Sequence, residues 1–166
     1  MKISKLFILI LLLLGYGCNC HLQQEQKFLE KYGNEDFSDY KGSTLFYRGI
    51  DEDGRKMVAG FVPTQQGTCN SCFINAFVSN NSNCKLLYDT ILFGEVLDTA
   101  FVQNKVTRFL EFEISELRVD TCGNVAIAFS EDYLELYMFV DENEVQRRSK
   151  EVKWKKVVGN WYKPKD

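Results

Sequence analysis

The stretch 151–163, Glu-Val-Lys-Trp-Lys-Lys-Val-Val-Gly-Asn-Trp-Tyr-Lys, decides the fold class. Two runs rich in β-branched and aromatic residues are separated by Gly159-Asn160 alone. A two-residue loop of this composition tolerates the positive φ that matches the twist of an antiparallel pair. The spacing predicts a hairpin with Trp161 opposite Val158 and with Trp154 on the partner strand.

Other hairpin signals lie upstream. Thr44–Ile50 and Lys56–Val62 flank Asp51-Glu52-Asp53-Gly54, a polar turn closed by glycine. Thr121-Cys122-Gly123-Asn124 turns the chain into 125–129, and 133–140 leads to a polar turn at 141–143. Residues 106–119 alternate but change parity after Ile114, which predicts a strand with a bulge near Ser115-Glu116. Leu22, Phe28, Leu29 and Tyr32 share one helical face ahead of Gly33-Asn34, a helix stop. Residues 85–102 fit helix and strand equally well. The expected fold is α+β: a mainly antiparallel β-sheet, a meander with hairpins, preceded by a short N-terminal helix.

The beginning of the chain carries an address. Lys2 and Lys5 precede an unbroken apolar run from Leu6 to Leu14, too short for the roughly 20 residues of a spanning helix. Gly15 and Gly17 stand three and one positions before Cys18, as signal peptidase requires. Residues 1–17 are therefore expected to be a signal peptide, 18–21 a tether and 22–166 a single globular domain. No internal repeat and no Pro- or Gly/Ser-rich linker divides the rest. The stretch Leu14-Gly15-Tyr16-Gly17-Cys18 resembles a bacterial lipobox, which implies a diacylglyceryl group on Cys18 and a membrane-anchored lipoprotein of the cell envelope; plain secretion is the alternative.

Charge is unevenly spread. The leader takes two lysines, leaving 18 basic against 23 acidic residues. Eight of the basic residues fall in 144–166, beside three acids, so an acidic body carries a basic tail. Trp154, Trp161 and Tyr162 lie in that tail and are candidate binding residues, since cations interleaved with aromatic rings suit anionic surfaces. Export argues against nucleic acid as the partner; an anionic envelope, or another envelope protein, fits better.

Six cysteines supply the remaining chemistry. In an oxidising compartment Cys69, Cys72, Cys84 and Cys122 are disulfide candidates. A bridge from Cys69 or Cys72 to Cys84 would close a short loop and contribute about 3 kcal/mol on the chain-entropy view. Cys69-Asn70-Ser71-Cys72 also has the spacing of thiol oxidoreductases, with 57–62 as a preceding strand and Phe73, Ile74, Phe77 and Val78 as one face of a following helix. That arrangement resembles the thioredoxin-like one and implies Cys69 as nucleophile and Cys72 as resolving thiol. It departs from the pattern in lacking a preceding Trp and a later proline placed for a cis peptide.

Other catalytic classes find little support. The lone His21 sits beside the export junction, which argues against a His-based triad and, without a second Cys-x-x-Cys, against zinc. Glu111 and Glu113, which share a strand face, or Glu131 and Asp132 could serve as a carboxylate pair, but a solvated face opposite Leu110, Phe112 and Ile114 explains the first pair better. Gly-rich phosphate loops are missing. No cofactor is expected. The chain's end looks loosely like the ends of cystatin-like and other small exported β folds. The sequence therefore points to a non-enzymatic binding, inhibitory or structural protein of the envelope, with thiol-disulfide exchange as the alternative.

Overall fold

The structure, a computed structural model, describes residues 22–63, 71–79, 83–88, 98–130 and 135–165. The leader, Cys18, Cys20 and Cys69 lie outside them. The chain divides into two compact units, 1–34 and 35–166.

In the first unit residues 22–32 form a helix, α1, as the apolar spacing predicts. Phe28 and Tyr32, one turn apart, bring their rings to 5.6 Å. The helix closes where the Gly33 amide donates to the Leu29 carbonyl. A Cβ at Gly33 would lie 2.3 Å from that same oxygen, so glycine is required at this stop.

The second unit is built on one nine-stranded antiparallel sheet in the order β4-β3-β2-β1-β5-β6-β7-β9-β8. A one-turn 3-10 helix, Ser38–Tyr40, precedes it. Strands β1 (Ser43–Ile50), β2 (Lys56–Pro63), β3 (Ser71–Val78) and β4 (Cys84–Tyr88) run outward as a meander. Helix α2 (Thr99–Glu111) then returns the chain to the free edge of β1, where β5 (Glu116–Val119) pairs. The strands β6 (Val125–Ala128) and β7 (Leu136–Met138) extend the sheet the other way. Helix α3 (Glu142–Arg148) leads to the closing hairpin of β8 (Trp154–Val158) and β9 (Trp161–Pro164), whose second strand docks on β7. The α+β, mainly antiparallel expectation is met.

Local chemistry explains the β1–β2 and β5–β6 turns. Asp51 Oδ1 accepts the amides of Asp53 and Arg55 at 3.0 and 2.8 Å, and Arg55 Nε donates to its other oxygen at 2.8 Å. The β1–β2 turn is thus held by one carboxylate, with Gly54 at φ 75°. Asp120 does the same at β5–β6, accepting from the amides of Gly123 and Asn124. The closing hairpin forms as read, with Val158 opposite Trp161.

The core occupies one face of the sheet. Leu45, Val58, Val62, Ile74, Leu117 and Ile127 are fully buried there, and α2 lays Val102, Val106 and Phe109 on the unit's interior. Each such side chain contributes about 1.5–3 kcal/mol by leaving water. Backbone spacing is as tight as the packing: a Cβ at Gly60 of β2 would meet the Thr44 carbonyl at 2.1 Å.

Three local expectations are corrected. Residues 106–111 are the second half of helix α2, not the first half of a bulged strand: Asp98 caps that helix by accepting the Phe101 amide at 3.0 Å, and the parity change after Ile114 marks a helix-to-strand boundary. Glu113, at φ 55°, reverses the chain there. Residues 71–78 form β3 rather than a helix after Cys72, because full antiparallel pairing with β2 places Cys72, Ile74, Ala76 and Val78 in the core. Residues 141–143 open α3, with Asp141 accepting the Glu144 amide at 2.9 Å, instead of forming a turn between strands. The undecided stretch contains both answers: 84–88 is strand and 99–102 is helix, while 89–97 lies outside the described residues.

Candidate functional site

Of the aromatic residues singled out in the tail, Trp161 is buried at 1% exposure, its ring 6.1 Å from Phe37. Tyr162 is buried against Phe139 at 5.5 Å. Trp154, half-buried, packs edge-on against Tyr137 and Phe139 at 4.9 and 5.0 Å. These rings anchor the hairpin, and its lysines form its surface.

Strand alternation sorts those lysines. Lys155 lies directly opposite Lys163, and the Lys165 amide donates to the Lys153 carbonyl at 2.7 Å, which sets that pair opposite each other too. Four ammonium groups thus share one face of the β8–β9 ribbon. Like charges facing across a ladder are destabilising. Among the described residues, Lys153, Lys155 and Lys165 have no ion-pair partner and are exposed. At the hairpin's end Val157 and Val158 are also exposed, at 38% and 52%, beside the open Gly159-Asn160 turn.

The thiols are dispersed. Cys72 sits on β3 opposite Val62 and Cys84 on β4 opposite Val78, six positions further along β3. At about 3.3 Å per residue the two are roughly 20 Å apart, well beyond the 4.4–6.8 Å Cα separation of a disulfide. The expected Cys72–Cys84 bridge is therefore excluded by register. Cys122 is exposed in the β5–β6 turn, four strands from Cys84. Burial pushes the half-buried Cys84 thiol upward. A bond from Cys69 lies outside the described residues.

Glu111 and Glu113 do not face one cleft. Glu111 pairs with Arg108 at 2.5 Å near the end of α2, whereas Glu113 lines a cavity of about 300 Å³ with Tyr47, Lys56 and Phe129. Glu131 and Asp132 lie outside the described residues.

A site that the sequence reading missed forms where α2 passes the 3-10 helix. Lys105 belongs to the buried stripe of α2, one turn from Val102 and Phe109, and only 5% of it is exposed. Its ammonium donates to Ser43 Oγ at 3.1 Å and lies over the rings of Phe101 and Tyr40, 4.7 and 5.6 Å from their centroids. Tyr40 is itself fixed by donating its hydroxyl to the Lys105 carbonyl at 3.0 Å. Ring faces stabilise a cation without accepting a directed hydrogen bond. Burial lowers the Lys105 pKa to about 8, and the negative charge of Asp39 acts against that.

Beside this ammonium opens a cavity of about 280 Å³, edged by Glu35, Asp36, Asp39 and Arg108. Arg108 is engaged twice, by Glu35 at 3.0 Å and by Glu111. Asp36 accepts the Ser38 amide at 2.8 Å, which holds its carboxyl below the usual range. The signal available in the sequence was Lys105 at helical spacing within Val102, Val106 and Phe109, visible once 99–111 is read as helix.

A scan against family models finds no match to this chain, and searches of curated proteins and of solved structures return none either. What the fold defines is a class: a nine-stranded antiparallel α+β unit whose helices α2 and α3 lie in the connections between non-adjacent strands. Among the described residues no helix is long and apolar enough to cross a membrane, and no three His, Cys, Asp or Glu side chains gather as a metal site.

Proposed function

We propose that this chain is an exported, non-enzymatic binding protein of the cell envelope, tethered by a lipid on Cys18 and resting its β8–β9 ribbon on an anionic membrane surface. The observation that carries the reading is the facing of Lys155 on Lys163 and of Lys153 on Lys165. Among the described residues Lys153, Lys155 and Lys165 have no ion-pair partner, and an anionic surface would neutralise them. Lysine on an open sheet edge also guards against strand addition, which accounts for β8. It does not account for Lys163 and Lys165, because β9 is paired on both sides. Exposed Val157 and Val158 at the tip give the ribbon an apolar end flanked by cations, a combination suited to the headgroup region.

Support for the tether is the charged and apolar leader ending at Gly15-Tyr16-Gly17-Cys18. Thiol-disulfide exchange at Cys69-Asn70-Ser71-Cys72 is the weaker proposal: Cys72 stands inside a paired strand, not at the helix N-terminus such a site uses.

Intact mass of the protein recovered from membranes tests the tether. A chain beginning at Cys18 with a diacylglyceryl addition is the expected result. A chain retaining residues 1–17, or beginning elsewhere, overturns it.

A further inference from the structure

The cavity beside Lys105 poses a separate question of what fills it. Its floor is a buried ammonium with three N–H donors and, among the described residues, one hydrogen-bonding partner, Ser43 Oγ. Its rim is acidic: Asp36 and Asp39 are exposed carboxylates, and Arg108 is already balanced by Glu35 and Glu111. Phe101 supplies an apolar wall between floor and rim.

These features narrow the ligand. A plain dianion would satisfy the floor but be repelled at the mouth, where uncompensated carboxylates outnumber free cations. A metal ion would be repelled by Lys105 and would find no converging set of three ligands among the described residues. A molecule with a carboxylate at one end, an ammonium at the other and a short methylene chain between meets all three surfaces. The volume of about 280 Å³ is at the small end for ligand pockets and suits a molecule of amino-acid size.

We infer that this cavity binds a small zwitterion, whose carboxylate pairs with the Lys105 ammonium and whose cationic end lies between Asp36 and Asp39. Binding would supply the acceptors that Ser43 alone does not provide. The depressed Lys105 pKa fits the same picture, since a bound carboxylate favours the charged amine and would raise it again. The inference goes beyond the envelope reading and needs neither the lipid nor the hairpin.

The test uses the full chain labelled with 13C-lysine, titrated with 4-aminobutyrate and β-alanine, and separately with acetate and with ethylammonium. The Lys105 Cε resonance and the thermal midpoint are followed. Expected are saturable shifts and a raised midpoint with the zwitterions, and binding at least about tenfold weaker with either single-charge probe, as loss of one charged contact implies. Lys105→Met should abolish zwitterion binding and Asp39→Asn should weaken it. If the wild-type Lys105 resonance does not move with either zwitterion, the inference fails. It also fails if acetate binds as tightly as 4-aminobutyrate, or if a folded Lys105→Met chain still binds. Because the wild-type resonance decides by itself, an unfolded variant does not rescue the idea.

Discussion

Lys155 and Lys163 face each other directly across the closing hairpin, with Lys153 and Lys165 as the next pair along the same face. Replacing one of a facing like-charged pair by an acid converts repulsion into attraction, worth about 0.2–1 kcal/mol. Lys155→Glu should therefore raise the thermal midpoint, more at low salt than at high salt. The same substitution should weaken sedimentation of the unlipidated chain with phosphatidylglycerol vesicles, while neutral phosphatidylcholine vesicles retain neither form. A variant that gains stability and binds anionic vesicles as well as the parent would remove the ribbon from the membrane reading.

Lys105 ties stability to pH. Its folded pKa, about 8, lies below the ordinary 10.5, so the unfolded chain binds more protons between those values and stability rises with pH across that window. Among the groups facing it, Asp39 is the one that acts on its charge; burial raises the Tyr40 hydroxyl above its ordinary 10.0, which opposes the Lys105 trend only as pH passes 10 and is common to parent and variant. Lys105→Met removes a buried charge in favour of an apolar chain of similar length. Such exchanges are often neutral or stabilising. The variant should be at least as stable at pH 7, and its advantage should shrink from pH 8 to 10.5 in denaturant titrations.

Asn124 joins three segments of the second unit. Its side-chain amide donates to Asp120 Oδ2 at 2.8 Å and to Glu144 Oε1 at 3.3 Å, and its oxygen accepts the Val140 amide at 3.0 Å. It is buried, so Asn124→Ala leaves polar groups unsatisfied at a cost of about 1–3 kcal/mol. Urea unfolding should show this loss. Arg147 and Arg148 hold the Glu144 carboxyl down at about 2, against an ordinary 4.5. Its contribution is complete above pH 4.5 and disappears as pH falls toward 2, so acid should erode this corner of the fold.

Thiol accessibility follows burial. Cys122 is exposed, whereas Cys84 is half-buried with its thiol pushed up, so it forms less thiolate. Under native conditions iodoacetamide should label Cys122 well before Cys84, read by peptide mass. Detection of a Cys72–Cys84 bridge in folded protein would contradict the β3–β4 register.

The legible parts of the fold were those written in adjacent residues. Asp51 to Gly54, Thr121 to Asn124 and Gly159-Asn160 are turns whose side chains bond their own backbone or accept positive φ, so their effect is local. The strand expected from Val106 fails for the opposite reason. Leu110, Phe112 and Ile114 alternate, but Asp98 as a cap and burial of Val102, Val106 and Phe109 outweigh that pattern. Cys72 was misread because strand and helix share the same apolar residues, and pairing with β2 settled the matter. Trp161 and Tyr162 carried a binding reading in the sequence, yet the structure uses them as core.

By itself the sequence determined the antiparallel class, the positions of the hairpins, the α1 stop at Gly33 and the concentration of lysine in the last segment. Each rests on contacts within a few residues. Only the tertiary structure decided that α2 returns the chain to β1, that β9 rather than β8 meets β7, and that Lys105 is buried beside Ser43 while Asp39 edges the same cavity. Ser43 and Lys105 are 62 residues apart in the chain. Nothing local to either codes for their meeting, which follows from packing one stripe of α2 onto the interior of the unit.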